Sequence, residues 1–103
     1  MAKGPYALTS PSNAAPRISV HKSGKTVAIL VEGTFTGTLQ PQVALGGQTP
    51  VNTEVTPAGS TTLQGTITAA GMYFCTVGGV EEFILAITAL SVGTATVYLN
   101  VGD

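Results

Sequence analysis

The chain has 103 residues, enough for one domain with one hydrophobic core and too few for two. Charged residues make up 9% of it and Thr occurs sixteen times, against about 25% charge in an ordinary soluble domain, so neutral, hydroxyl-rich strand faces are expected. The longest apolar runs, 27–31 and 83–87, fall far short of the roughly 18 residues of a membrane-spanning helix, and no membrane span is expected.

The formal net charge of −1 is unevenly placed. Lys3, Arg17, Lys22 and Lys25, with His21, lie at the front; Glu32, Glu54, Glu81, Glu82 and Asp103 all follow. Such asymmetry suits a front end that docks on an acidic surface, although strands that exclude charge would leave the same pattern. Residues 1–16 hold Pro5, Pro11 and Pro16 and no alternation, so they read as an extended arm ahead of a β-sandwich domain at 17–103. Tyr6 and Leu8 would give the arm something to bury along a neighbour. Its start lacks the apolar core of a signal peptide, and Cys75 is the sole cysteine, which fits synthesis in a reducing cytoplasm.

Ile18 and Val20 alternate with polar neighbours in a first short strand. Residues 26–32, TVAILVE, are rich in β-branched side chains and read as a central strand ending at Gly33. In 34–45, Phe35, Leu39, Val43 and Leu45 share one parity, and Pro41, which has no N–H to donate, places part of the run at a sheet edge or bulge. A weak strand at 51–56, with Val51 and Val55 on one face, leads to the turn Pro57-Ala58-Gly59-Ser60. Residues 61–68 alternate Leu63, Gly65 and Ile67 inward against Gln64 and Thr66 outward. In 72–77 either Met72 and Phe74, or Tyr73, Cys75 and Val77, face the core; Gly78-Gly79 then makes a hairpin-like turn.

The strongest pattern is 82–101. Ala95, Val97, Leu99 and Val101 oppose Thr94, Thr96, Tyr98 and Asn100, while 83–90 is apolar on both faces, as an interior strand would be. The two runs read as a hairpin joined by Leu90-Ser91-Val92-Gly93. About eight strands, turn signals every 8–12 residues and no helical window point to an all-β, antiparallel two-sheet sandwich, with jelly-roll and immunoglobulin-like orders both open.

Residues with chemical potential are few. His21 stands beside Lys22 with no acid or nucleophile patterned around it, so a triad is not expected. Cys75, without a cationic neighbour in sequence, reads as a buried thiol. Adjacent Glu81 and Glu82 point to opposite strand faces and do not share a site. One Cys and one His do not make a four-ligand zinc site. The glycine pairs precede no helix that would hold a phosphate. Aromatic residues are not interleaved with Lys or Arg, which argues against a nucleic-acid platform. Neither catalysis, cofactor nor metal is expected.

GTFTGTLQPQVAL at 33–45, TTLQGTITAAGMYFCTV at 61–77 and the closing EEFILAITALSVGTATVYLNV resemble small β-sandwich structural proteins of tailed bacteriophages. The resemblance covers residues 17–101. It departs at Gly46-Gly47-Gln48, where many such sequences carry Asp-Gly and then Trp. It implies a non-enzymatic virion component, a decoration or cement protein on the outside of the head that binds the major capsid protein lattice, often as a homotrimer. Lys3, Tyr6, Leu8, Arg17, Lys22 and Lys25 would be its partner-binding residues. The rival expectation is a carbohydrate-binding or host-adhesion module of a head or tail fibre, using Tyr98 and the threonine face or the loops at Gly46 and Gly78.

Overall fold

A computed structural model describes residues 3–20 and 24–102. Among them are nine strands and no helix: β1 (Lys3–Leu8), β2 (Arg17–Ser19), β3 (Thr26–Glu32), β4 (Phe35–Ala44), β5 (Val51–Asn52), β6 (Thr56–Pro57), β7 (Gly71–Thr76), β8 (Glu82–Gly93) and β9 (Ala95–Gly102). They form two antiparallel sheets, ordered β1-β9-β3-β7-β6 and β2-β8-β4-β5. The all-β sandwich expected from the alternating patterns is the observed architecture.

Strands 82–93 and 95–102 are not paired as a hairpin. β8 pairs with β4 from Ala44↔Glu82 to Phe35↔Gly93, while β9 pairs with β3 from Glu32↔Thr96 to Thr26↔Gly102. The molecule is thus built on one two-stranded ribbon, β3–β4 against β8–β9, bent so that its halves lie in opposite sheets. The bend falls at Gly33-Thr34 and Gly93-Thr94, joined by a hydrogen bond from Thr94 N–H to the Thr34 carbonyl at 3.3 Å. Gly33 and Gly93 have φ of +100° and +82°. A Cβ on Gly33 would strike the Thr94 carbonyl oxygen, and one on Gly93 the Thr34 carbonyl oxygen, so both positions exclude a side chain as well as favouring glycine by conformation. Leu90 to Val92, expected as a loop, remain on the β4 ladder.

Two bulges in β8 explain its mixed burial. Thr38 and Leu39 pair with Ala89 and Ile87, and Thr36 and Gly37 with Val92 and Leu90, leaving Thr88 and Ser91 unpaired. Each extra residue reverses the side-chain parity. Phe83 and Leu85 therefore face the core together with Leu90, and Ala89 faces solvent. The Thr88 hydroxyl donates to the Thr38 carbonyl at 3.1 Å across the bulge. Gly78-Gly79 likewise connects β7 to β8 across the two sheets rather than within a hairpin.

The excursion 51–68 departs most from expectation. Val51 is exposed and Val55 fully buried. The chain changes sheets between β5 and β6, and their side chains share no face. Residues 61–68 make no strand; they touch the sheets through isolated bridges of Gln64 with Val55 and Ile67 with Leu39. Ile67 enters the core while Leu63 remains 59% exposed. Gly65 supplies no side chain to pack between them, and only one of the alternating positions is buried. In 71–76 the choice left open resolves to Tyr73 and Cys75, with Val77 beyond them, facing inward. Pro41 lies inside β4, opposite Leu85, and its carbonyl accepts the Thr53 N–H at 2.9 Å. Its missing N–H therefore falls on the flank that the short β5 covers only in part, and the β8 ladder is undisturbed.

The front of the chain is part of the sandwich. Lys3–Leu8, expected within an arm ahead of the domain, is an edge strand paired with β9 from Lys3↔Leu99 to Leu8↔Ala95. Leu8 is 1% exposed and packs with Val27, Ile29, Phe83, Leu85 and Leu99 in the single core. Tyr6 and Leu8 make a single period of alternation between Pro5 and Pro11, too short a signal to mark the strand. Loop 9–15 is shaped by Asn13, whose Oδ1 accepts the N–H groups of Thr9 at 2.7 Å and Ser10 at 3.0 Å. Leu8→Ala should lower unfolding stability by about 2–5 kcal/mol, measured by chemical denaturation. A loss below about 0.5 kcal/mol, as at an exposed site, would place Leu8 outside the core.

Candidate functional site

The sheet orders give the sandwich two distinct flanks. On one, the edges β1 and β2 meet: the Tyr6 hydroxyl donates to the Arg17 carbonyl at 3.2 Å, and Leu85 N–H to the Pro16 carbonyl at 2.8 Å. Arg17 Nε lies 3.5 Å from Glu82 Oε2 with its side chain largely exposed, and Lys3 is exposed on β1. Lys3, Tyr6 and Arg17, expected as partner-binding residues, are thus brought to one flank. Lys25 is exposed at the end of the five-stranded sheet, where its N–H donates to the Gly102 carbonyl at 2.9 Å. Leu8 is corrected: committed to the core, it has no surface to offer a partner. Lys22, like His21, lies outside the described residues.

The opposite flank, where β5 and β6 end the two sheets, carries a groove of about 720 Å³. Its walls include Gln40 from β4, Asn52 from β5, Glu54, Thr66 and, from β7, Phe74. Gln40 Nε2 donates to the carbonyls of Pro41 at 2.9 Å and Gly65 at 3.0 Å, and Gln42 Nε2 donates to Asn52 Oδ1 at 3.0 Å. Both groove amides are held in one orientation. None of these residues stood out in sequence, because they come from four segments joined only by the irregular 51–68 excursion.

The outer face of the five-stranded sheet holds a smaller, more apolar depression of about 380 Å³, lined by Leu30, Met72 and Tyr98 with Glu32 at its margin. Leu30 pairs with both Tyr98 and Met72, so the three form one row across β9, β3 and β7. Tyr98 does face outward, as its parity indicated, but beside apolar neighbours rather than only threonines. Of the loops considered for a ligand, that at Gly46 is tied down: Gly46 N–H donates to Glu81 Oε1 at 2.7 Å. Glu81 and Glu82 serve different partners, a loop amide and Arg17.

Cys75 is buried, and burial pushes its thiol pKa up, with a hydrogen bond to Thr53 working in the opposite direction. Tyr73 is raised by burial too, its hydroxyl donating to the Ala69 carbonyl at 2.7 Å. Among the described residues no three His, Cys, Asp or Glu side chains gather as a metal site would require.

No protein-family model matches the chain. No match was found among curated proteins. Among solved structures, the SPBc2 prophage-derived protein YomS is similar in fold, with a TM-score of 0.81 over 99% of this chain and 92% of that one, at 12% sequence identity.

Because the folded state holds the Cys75 and Tyr73 protons more tightly than the unfolded chain, their contribution to stability is complete at pH 7 and lost as the pH rises past about 8.5 and 10, their ordinary values. Denaturant titrations should show stability falling as the pH rises past these ordinary values, and the native thiol should resist a disulfide reagent at pH 8 until the protein unfolds. Rapid labelling of native protein would contradict the buried-thiol geometry.

Proposed function

We propose that this protein is a bacteriophage structural protein, a decoration or cement protein that attaches to the outside of the head and stabilises it. The observation that carries the reading is the shared fold with a prophage-derived protein over nearly the whole chain, and the sequence resemblance to phage sandwich proteins points the same way. The β1/β2 flank is the attachment surface: Lys3, together with Arg17 beside its partner Glu82, supplies positive charge for an acidic capsid surface, and Tyr6 is a partly buried aromatic near them. Charge of this kind steers docking and sets its salt dependence more than it adds affinity. Leu30, Met72 and Tyr98 form the contact between protomers, a trimer in this reading, because a contiguous apolar row on a sheet face, with Glu32 only at its margin, is the surface most favoured for burial.

Co-sedimentation with heads of the phage that encodes the protein, with sedimentation equilibrium of the free protein, tests both surfaces. The protein should pellet with heads, bind more weakly as salt rises, and lose about tenfold in affinity in a Lys3→Glu, Arg17→Gln double variant that keeps its thermal stability. The free protein should have three times the mass of one chain, and Met72→Asp should reduce it. Binding indifferent to charge reversal would contradict the flank, and a monomer would contradict the apolar contact.

A further inference from the structure

We infer that the groove on the β5/β6 flank is a binding site for a neutral oligosaccharide. Its volume of about 720 Å³ lies within the roughly 300–1,000 Å³ of small-ligand sites, and its chemistry narrows the ligand. The bonds to Pro41 and Gly65 use both amide hydrogens of Gln40, leaving its Oε1 as an acceptor, whereas Asn52, whose Oδ1 is taken by Gln42, offers its Nδ2 as a donor. Thr66 and Thr76 add hydroxyls that donate or accept as required, and the Glu54 carboxylate is a strong acceptor for a pair of sugar hydroxyls. Phe74, 40% exposed, is the aromatic residue of the groove lining. The electron-rich face of an aromatic ring attracts the C–H face of a pyranose. Fixed donors and acceptors beside one aromatic platform complement a polyol better than an apolar metabolite.

Other ligand classes fit less well. Among the described residues no Lys or Arg lines the groove, so phosphate, sulfate or nucleic acid would meet only Glu54, of like charge. An extended peptide would bind by adding a strand, but the flanking edges are the two-residue β5 and the two-residue β6, which ends in Pro57 and lacks that N–H. The walls are held in place. Val55 and Gln64 exchange both backbone hydrogen bonds at 2.9 and 2.8 Å, and Leu39 and Ile67 both theirs at 2.9 Å, so the excursion is pinned to the sandwich at two points and little ordering cost remains for binding. The site lies on the flank opposite Lys3 and Arg17, and it does not depend on the proposed attachment to heads.

The test uses the intact protein on an array of neutral and anionic oligosaccharides, with affinities for the bound sugars measured by calorimetry. Neutral glycans should bind in preference to sialylated or sulfated ones. Phe74→Ala and Glu54→Gln, both at exposed positions, should each weaken binding at least tenfold with unchanged thermal unfolding, while Val92→Thr, exposed and outside the groove lining, should leave it within twofold. A silent array, a preference for anionic glycans, or binding insensitive to Phe74→Ala and Glu54→Gln would overturn the assignment.

Discussion

Two glycines facing two carbonyl oxygens determine how this chain folds. At the bend of the central ribbon, Gly33 lies against Thr94 and Gly93 against Thr34, too close for any β-carbon. The reciprocal contact lets a continuous pair of strands leave one sheet and enter the other without a free loop. The backbone remains paired on both sides of the corner, and the inner faces of the two halves are brought together around Phe83, Leu85, Leu39, Ile29, Val97 and Leu99. The sheets are therefore coupled covalently at two adjacent points as well as by the side chains packed between them. Strands β1, β2, β5, β6 and β7, with the 51–68 excursion, are additions to this bent ribbon, and the two flanks differ mainly through them.

How much of this could be read from sequence follows from which signals are local. Period-two alternation in 26–32 and 95–101 marked buried strands, and the inward set Ala95, Val97 and Leu99 is fully buried. The same alternation says nothing about whether two consecutive strands pair with each other or bend apart, so from sequence the ribbon corner reads as a hairpin turn. The bulges at Thr88 and Ser91 change parity without changing composition and are legible only through the partner strand. Leu8 shows the opposite failure: with only Tyr6 two residues before it and prolines on either side, its alternation is too short to mark a strand, yet it fills a core position. The groove was the least legible feature, since Gln40, Asn52, Glu54 and Phe74 converge through tertiary pairing and none belongs to a local motif.

The low charge of the chain acquires a physical sense in this arrangement. Neutral strand faces need no counter-ions, and the few charges sit where they act: Arg17 and Lys3 at one flank, Glu81 holding the Gly46 loop, Glu82 beside Arg17, and Glu54 in the groove. The core contains no buried charged or polar side chain among the described residues, so its stability rests on apolar burial and backbone pairing. The sandwich has two differently equipped flanks, Lys3 and Arg17 on one and the groove with Glu54 and Phe74 on the other. In the proposed reading one end meets an acidic shell and the other is left free for sugars outside it.

The most direct measurement of that polarity is an electron cryomicroscopy reconstruction of phage heads saturated with the protein. Density for the sandwich is expected on the outer surface of the shell, with the β1/β2 flank and Arg17 against the capsid and the Phe74 groove facing outward. Density with the groove buried against the shell, or heads that carry no such density at saturating protein, would contradict it.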